Sequence, residues 1–319
     1  MRRARWEVGP VLLVRDELRR VATPGDHALS IGVFDGVHGG HRLLVARMLE
    51  EATARGLTGG VVTFHPHPLS VLRPDVPLVY LESLERRVEL LREVGADFVA
   101  VLQFTSELQQ VSAEDFTRLL VEEARMRLLV VGEDFRLGRG GAGTVPVLTE
   151  IGREQGFEVL AVPLLPDNDG RERISSTRIR QALAEGRMEE VAALLGRPYA
   201  VRGPVVHGEE RGRAIGFPTL NIGVSADRAL PPNGVYVTRA FVGDRVLDAV
   251  TNIGTRPTFN DGTERRVETH LLDFEGDVYG QVVTIELLAM LRPEQKFEGF
   301  EALVEQIRRD VTATREWFA

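Results

Sequence analysis

The chain has 319 residues, of which 43% are hydrophobic and 27% are charged, a composition typical of a globular protein large enough for two domains. It contains no cysteine, which excludes disulfides, thiolate nucleophiles and cysteine-ligated metal centres. The net charge of −8 makes nucleic acid a poor default partner, and no apolar run reaches the length of a membrane-spanning helix. The apolar stretch near the start is too short for a convincing signal peptide, so we expect a cytoplasmic protein without a membrane partner.

The basic residues restrict how the chain could bind phosphate. Lys296 is the only lysine, and the other basic residues are arginines. A P-loop needs a Gly-Lys-Ser/Thr step, which this chain lacks. Bound phosphates would therefore have to be held by arginine, histidine, backbone N–H groups or Mg²⁺.

Short apolar runs alternate with amphipathic stretches in the first part of the chain. The runs are ALSIGVF, GGVVTF, DFVAVLQF, RLLVVG and FEVLAVPLL, and helical patterns such as HRLLVARMLEEATARG lie between them. Continuous apolar strands that alternate with helices predict a parallel sheet covered on both faces. With right-handed crossovers, the pattern predicts a doubly wound α/β domain that binds ligands at the carboxyl ends of its strands.

The second part of the chain has a different rhythm. Two alternating strands around a turn at Gly243 and Asp244 are predicted by GVYVTRAFVGDRVLDAVTNIG, and RRVETHLLDFEGDVYGQVVTIELLAML repeats this hairpin pattern around Gly276 and Asp277. Such strands predict a small antiparallel β-barrel, and the final amphipathic segment predicts a C-terminal helix. We place the boundary so that residues 1–186 form the α/β domain and residues 187–319 form the barrel domain.

Two histidines follow the first apolar run, in GVFDGVHGGHRLL, and stand three residues apart. If HGGHRLL opens a helix, His38 and His41 share a face at the end where the free N–H groups of the helix lie. This end carries partial positive charge and attracts phosphate, and the glycines permit close approach of a ligand. A metal site completed by His65 or His67 and a purely structural turn stay open as alternatives, although the spacing of the pair is not the usual zinc spacing.

Two further motifs lie in the α/β part. The segment VVGEDFRLGRGGAG includes a literal G-x-G-x-x-G, but it does not turn directly from a strand into a helix. We interpret it as a mobile glycine loop rather than as a dinucleotide fingerprint. The segment RISSTRIRQAL combines serine and threonine with three arginines and predicts a short helix ending at Gly186. A capped helix start flanked by arginines could also hold phosphate.

The barrel part contains polar residues on predicted strands. The segment GRAIGFPTLNI places Thr219 and Asn221 on one face of an extended stretch, where their oxygen atoms could meet Mg²⁺ or phosphate. Glu268 lies on a strand with His270 on the same face. A lone carboxylate on a strand is either solvated or, if it faces a pocket, a possible general base.

Together, these motifs closely resemble the bacterial bifunctional FAD synthetases, which combine riboflavin kinase and FMN adenylyltransferase. The resemblance runs from about Ser30 to the C-terminus and includes GVFDGVHGGH, TFHPHP, VVGEDFRLG, ISSTRIRQAL, GRAIGFPTLNI, NIGTRPTF, VETHLLDFEGDVYG and LRPEQKF. Leu137 stands where the family usually has phenylalanine and Leu220 where it usually has alanine, and neither departure removes a chemical group. The resemblance implies an HxGH-type nucleotidyltransferase domain in residues 1–186 and a riboflavin kinase barrel in residues 187–319.

For the N-terminal domain, the resemblance implies in-line attack of the FMN phosphate on the α-phosphate of ATP, with release of pyrophosphate. His38 and His41 would stabilise the charge on the α-phosphate. The residues implied to bind ATP and its phosphates are Gly32, Phe34, Asp35, Gly36, Gly39, Arg173, Ser176, Thr177 and Arg180. The residues implied on the flavin and adenine side are His67, Asp134 and Phe135.

For the C-terminal domain, the resemblance implies that Glu268 takes the proton from the ribityl 5′-hydroxyl as that oxygen attacks the γ-phosphate of ATP. The residues implied to bind ATP phosphates are Gly212, Arg213, Gly216, Phe217, Pro218, Thr219 and Asn221, the last two also binding Mg²⁺. The implied partners are the small molecules riboflavin, FMN and ATP. Three alternatives stay open: a chain with only one of the two activities, a flavin-binding regulator without turnover, and a histidine-ligated metallohydrolase.

Overall fold

The computed structural model describes residues 10–163, 165, 173–207, 216–257 and 263–319. These residues fall into two compact units, which divide between Ser176 and Thr177. The expected assignment of one activity to residues 1–186 and of the other to residues 187–319 stays a prediction. Across the described ranges, no helix is both long enough and apolar enough to cross a membrane.

The first unit is built around a parallel sheet. Its described strands are β1 (His27–Ile31), β2 (Thr58–His65), β3 (Phe98–Gln103), β4 (Met126–Gly132), β5 (Arg136–Leu137), β6 (Gly143–Thr144) and β7 (Glu158–Val162). Five of them pair in parallel in the order β3-β2-β1-β4-β7, while β5 and β6 form a separate antiparallel hairpin. The five strands of the parallel sheet coincide with the five apolar runs of the sequence, so this prediction is confirmed.

Helices cover both faces of this sheet. They are α1 (Pro10–Val21), α2 (Gly39–Arg55), α3 (Pro68–Leu72), α4 (Leu84–Glu93), α5 (Ala113–Glu123) and α6 (Val145–Gln155). Leu29 and Ile31 of β1 pack in one hydrophobic cluster with residues of α1, α5 and α6, whereas Ala28 packs in another with residues of α2 and α4. Burial of both sheet faces explains why the strands read as continuous apolar runs.

The second unit contains a closed barrel. Its described strands are β8 (Tyr199–Val206), β9 (Leu220–Ile222), β10 (Gly234–Val242), β11 (Arg245–Pro257), β12 (Thr263–Leu271) and β13 (Val282–Pro293). Its described helices are α7 (Ser176–Ala184), which begins one residue before the division, α8 (Met188–Leu195) and the C-terminal α9 (Phe300–Phe318). The strand order around the barrel is β10-β11-β12-β9-β8-β13, and each pairing is antiparallel. The predicted barrel and C-terminal helix are therefore confirmed.

Of the two predicted hairpins, one is correct and one is wrong. Val242 pairs with Arg245, so β10 and β11 are joined by the two-residue turn at Gly243 and Asp244. In contrast, β12 pairs with β11 and β9, whereas β13 pairs with β10 and β8. The connection of residues 272–281 therefore joins two strands that are not neighbours in the barrel.

Alternation along the barrel strands separates an inner face from an outer face. Thr238, Thr251 and Thr269 are fully buried and come from three successive strands. Their hydroxyl groups form a chain inside the barrel, with Oγ1–Oγ1 distances of 2.8 and 2.9 Å. The residues next to these threonines along each strand consequently lie on the outer face. Glu268 and His270, which flank Thr269, are among them.

Candidate active sites

The first candidate site lies at the carboxyl edge of the parallel sheet, where β1 leads into α2. His38 is the N-cap residue of α2, and its Nδ1 accepts a hydrogen bond from the backbone N–H of His41 over 3.4 Å. The two imidazole rings stack with centroids 3.6 Å apart. A Cβ atom at Gly40 would lie 3.3 Å from Cε1 of His38, so glycine there leaves room for the stack. The sequence prediction that both histidines share the start of a helix is confirmed.

The loop before α2 is strained and firmly held. Phe34 and Val37 have φ angles of 54° and 40°, which non-glycine residues rarely adopt. The carboxylate of Asp35, which is 1% exposed, accepts hydrogen bonds from the backbone N–H groups of Leu81 and Glu82 over 3.0 to 3.1 Å. Strained conformations persist where surrounding contacts enforce them, and they cluster at functional sites. These contacts make Asp35 an anchor of the loop, and its expected phosphate contact stays a prediction.

His41 has an unusual electrostatic environment. Burial lowers the pKa of its imidazole well below the ordinary value, and the neighbouring His38 and Arg87 lower this pKa further. The ring is therefore neutral near pH 7. Its Nδ1 atom is buried and has no hydrogen-bond partner within the described residues. A buried polar atom without a partner is costly, and folded proteins retain such atoms mainly where they meet a ligand, an ion or a water molecule.

Other predicted residues of the first site lie along the same sheet edge. The Ser176 hydroxyl donates a hydrogen bond to the backbone carbonyl of Asp35 over 2.8 Å. Asp134 forms an ion pair with Arg173 beyond the end of β4. Beyond the end of β2, His67 caps α3 by accepting a hydrogen bond from the N–H of Leu69 over 3.0 Å.

Most of the remaining predicted residues of this site lie in the loop between β1 and α2 or on its flanks. Phe34 is buried and its ring meets that of His41 edge-on at 5.1 Å. Gly32 follows β1 directly, Gly36 has a φ of 81°, and Gly39 is the first residue of α2. Phe135 packs half-buried against the core of the first unit. Thr177 and Arg180 lie on α7, beyond the division between the two units, so their expected contact with phosphate stays a prediction.

An apolar cavity of about 180 Å³ opens beside this sheet edge. Its lining includes Phe64, Phe104, Phe116, Leu137 and glycines of the β5–β6 hairpin. The glycine segment that we interpreted as a mobile loop thus contains a hairpin, and buried Leu137 lies on its first strand. Its G-x-G-x-x-G does not join a strand of the parallel sheet to a helix, which agrees with our rejection of a dinucleotide fingerprint.

The second candidate site lies on the outer face of the barrel. Glu268 on β12 stands directly opposite Asn221 on β9 and Asn252 on β11. Directly opposed residues of antiparallel strands project from the same face with their Cβ atoms about 4.5–5.5 Å apart. The register therefore brings three oxygen-bearing side chains into one row. Asn252 was not predicted from the sequence, because its role depends on strand register.

A cavity of about 460 Å³ opens at the start of β9, where its lining ends one residue before Asn221 along that strand. Its lining includes Pro218, Thr219 and Leu220, and on the other side Phe274, Asp277 and Tyr279. This volume lies within the range of roughly 300–1,000 Å³ that is usual for small-molecule sites. Thr219, the residue before β9, thus lines a cavity, and its expected ligand-binding role stays a prediction.

The chain before β9 is held against β12. Nδ1 of His270 is 2.8 Å from the carbonyl oxygen of Pro218, and the rings of Phe217 and His270 meet edge-on at 5.5 Å. Gly216 has a φ of 83°, a conformation that favours glycine. Gly212 and Arg213, which were also predicted to bind ATP phosphates, lie outside the described residues.

Within the ranges that the structure describes, no group of three or more His, Asp or Glu side chains could hold a metal ion. The alternative of a histidine-ligated metal at His38 and His41 therefore finds no third protein ligand there. Mg²⁺ differs, because it is commonly held by one or two protein oxygens together with substrate phosphates.

Comparison with known families assigns both units. The FAD synthetase family model matches residues 21–178, and the riboflavin kinase family model matches residues 195–318. The bifunctional riboflavin kinase/FMN adenylyltransferase of Escherichia coli K12 is 40% identical over 91% of this chain and 92% of its own length. The protein of the same name from Bacillus subtilis 168 is 36% identical over 91% and 92%.

A solved structure extends the comparison to the fold. A Streptococcus pneumoniae protein described as a macrolide-efflux protein superposes with a TM-score of 0.85 at 32% identity, over 94% of this chain and 97% of that one. The name belongs to that protein, and the likeness shows a shared fold over nearly the whole chain. Both family models match in the predicted order, and the relatives align over nine-tenths of the chain. The chain therefore belongs to the bifunctional riboflavin kinase/FMN adenylyltransferase family and is an enzyme with both activities.

Proposed function

We propose that His38 and His41 act on the α-phosphate of ATP during FMN adenylylation, and that Glu268, Thr219 and Asn221 serve riboflavin phosphorylation. The observation that supports the first assignment best is the stack of two imidazoles over the N-terminus of α2, one ring carrying a buried unsatisfied nitrogen. A helix N-terminus attracts phosphate through its free N–H groups and its partial positive charge.

In adenylyl transfer, an oxygen of the FMN phosphate attacks the α-phosphorus of ATP and pyrophosphate leaves. Negative charge grows on the non-bridging α-phosphate oxygens as the bonds change. Imidazole N–H groups and free helix N–H groups at the start of α2 would stabilise this charge without reorganisation. The neutral His41 would donate one such hydrogen bond. Because it carries no charge, it would bind the phosphates of the ground state less tightly than those of the transition state.

The remaining residues of the first site would position the two substrates. The apolar cavity lined by Phe64, Phe104 and Leu137 suits the flat dimethylbenzene end of the flavin ring. Arg173, now paired with Asp134, would turn to the β- and γ-phosphates when ATP binds. Ser176, at the start of α7, would add a hydroxyl to the same phosphates.

In the kinase reaction, Glu268 would accept the proton of the ribityl 5′-hydroxyl while that oxygen attacks the γ-phosphate. The cavity beside Thr219 would hold the nucleotide. Asn221 offers a neutral oxygen donor opposite Glu268, and Thr219 offers another two residues earlier at the cavity, a donor set that fits Mg²⁺ shared with ATP phosphates. When bound, Mg²⁺ neutralises charge on the phosphates during transfer.

Reciprocal substitutions test these assignments. In His41→Ala we expect FAD formation from FMN to fall by roughly 10²-fold or more, on the scale of one lost transition-state donor, with FMN formation unchanged. In Glu268→Gln we expect the reverse. Both activities are measured on the same preparations by chromatography of the flavins. If either substitution abolished both activities in a folded protein, the assignment of two separate sites would be wrong.

The magnesium assignment has its own test. Asn221→Leu removes one oxygen donor and leaves Glu268 in place, so FMN formation should need a higher Mg²⁺ concentration for half-maximal rate. His67→Ala, a change on the first unit, serves as the control and should leave this requirement unchanged. An unaltered Mg²⁺ requirement in Asn221→Leu would contradict the proposed role.

A further inference from the structure

A buried arginine, Arg87, lies beside the first site and has no part in the proposed reaction steps. Arg87 lies on α4 and is 1% exposed. Its Nη1 donates a hydrogen bond to the carbonyl oxygen of Val33 over 2.8 Å, and its Nη2 donates to that of Phe64 over 3.2 Å. Val33 opens the loop that leads to the histidines, and Phe64 lines the apolar cavity. A single guanidinium therefore bridges the ends of two neighbouring strands.

Packing alone does not account for a cation at this position. Burial lowers the pKa of the Arg87 guanidinium and the Asp35 carboxylate raises it, and arginine stays charged in proteins. The Nε atom is buried without a hydrogen-bond partner among the described residues. Burying a charge is costly, and an apolar side chain of similar volume often fills such a position at no loss of stability. The cost points to a use for the charge.

We propose that Arg87 is a positioning residue for adenylyl transfer, which fixes the two strand ends beside the active site and places a permanent positive charge behind His41. The proposal rests on the proposed role of His41. It deepens that role, since it names a charged group that adds to the effects of burial and of His38 in disfavouring protonation of the imidazole. Arg87 acts through Val33, Phe64 and His41, and it does not itself touch the substrate.

The groups that determine the charge of His41 can be named. Burial lowers the pKa of His41 most, the stacked His38 lowers it further, and Arg87 of α4 adds a smaller effect, while the Asp35 carboxylate favours the charge on Arg87. Phe34, which also packs on the ring, is uncharged. Because the Arg87 cation disfavours protonation of His41, removal of that cation should raise the pKa of the imidazole. A lysine at position 87 would keep the charge and the low pKa.

Three substitutions separate charge from packing in the full-length enzyme. Arg87→Gln removes the charge and leaves one shorter amide donor, whereas Arg87→Lys keeps the charge on a single nitrogen donor. Arg92→Gln, at an exposed position of the same helix, is the matched control. Titration of the ¹⁵N-labelled imidazoles by NMR, with the His41 signal identified by its loss in His41→Asn, gives the pKa of His41 in each variant. Rates of FAD and FMN formation are measured alongside.

We expect the pKa of His41 to rise in Arg87→Gln and to stay low in Arg87→Lys and in the control. The kcat of FAD formation should fall roughly tenfold in Arg87→Gln and much less in Arg87→Lys, with FMN formation unchanged. Equal pKa values in the two Arg87 variants, or an undiminished kcat in Arg87→Gln, would overturn the proposal. If Arg87→Gln does not fold, an increased His41 pKa in Arg87→Lys overturns it. Full FAD-forming activity in His41→Ala would instead refute the proposed function of His41. The two failures can be distinguished, because the titration of His41 does not depend on turnover.

Discussion

A buried carboxylate holds the strained loop that leads from β1 into α2. The Asp35 side chain accepts hydrogen bonds from the N–H groups of Leu81 and Glu82, just ahead of α4. From α4 itself, Arg87 donates to the carbonyl of Val33 in the opposite direction. The loop and the segment that contains α4 thus hold each other by reciprocal side-chain to backbone contacts.

Asp35→Asn should weaken this arrangement. The amide replaces one acceptor oxygen by an NH₂ group that faces a backbone N–H, and it removes the negative charge near Arg87. We expect the free energy of unfolding of the first unit to fall by roughly 2–4 kcal/mol. Urea unfolding followed by circular dichroism measures it, with Asp75→Asn as control, because the Asp75 side chain is 70% exposed. Equal stability of the two variants would contradict the anchoring role.

The placement of residues was predictable where the signal is local in sequence, whereas their roles stay predictions. His38 and His41 stand three positions apart, and their common place at the start of α2 was expected from HGGHRLL, whereas their contact with phosphate stays a prediction. The contacts of Asp35 with Leu81 and of Arg87 with Val33 span 46 and 54 positions, and no short motif encodes them. The period of α4 did contain a hint, since Arg87 shares the buried face with Leu90 and Leu91 at i+3 and i+4.

Among the elements, the β5–β6 hairpin contains glycines that line the apolar cavity and that also affect the stability of the fold. Gly138 has a φ of 76°, and a Cβ there would lie 2.5 Å from the backbone nitrogen of Ala113, at the start of α5. Gly140 has a φ of 65°, but a Cβ there would meet no atom within 4 Å. Both glycines line the cavity, so the pair separates backbone strain from close packing.

We expect Gly138→Ala to cost on the order of 3 kcal/mol of unfolding free energy, because it adds a steric clash to an unfavourable φ angle. Gly140→Ala should cost about 1 kcal/mol, because only the backbone strain applies. If the cavity holds the flavin ring, Gly138→Ala should also raise the KM for FMN more than Gly140→Ala does. Thermal unfolding and steady-state kinetics measure the two effects. A KM unchanged in Gly138→Ala would argue against flavin binding in this cavity.

Element types were predictable to a greater extent than their pairing. Apolar runs identified the five strands of the parallel sheet, because strands buried on both faces have few polar residues. In the barrel, alternation showed which residues face inward but not which strand lies beside which. The predicted pairing of β12 with β13 failed for this reason, and the row of Asn221, Asn252 and Glu268 could not be foreseen.

At the scale of the whole molecule, two reactions are divided between folds that suit different chemistry. The parallel sheet gathers loops and helix N-termini at one edge, where a nucleotide's phosphates are bound by backbone groups. The barrel instead offers side chains in register on neighbouring strands, which can combine a carboxylate with neutral oxygen donors. The domain order of the family models agrees with this division.

Mixing two inactive variants tests whether the sites work independently. His41→Ala should convert riboflavin only to FMN, whereas Glu268→Gln should convert FMN to FAD but leave riboflavin untouched. An equimolar mixture with riboflavin, ATP and Mg²⁺ should therefore form FAD after a lag in which free FMN accumulates. The lag should shorten as the concentration of Glu268→Gln increases, because FMN must diffuse from one protein molecule to another. If the mixture formed FMN without FAD while Glu268→Gln alone converted added FMN, the intermediate would not leave the protein that makes it.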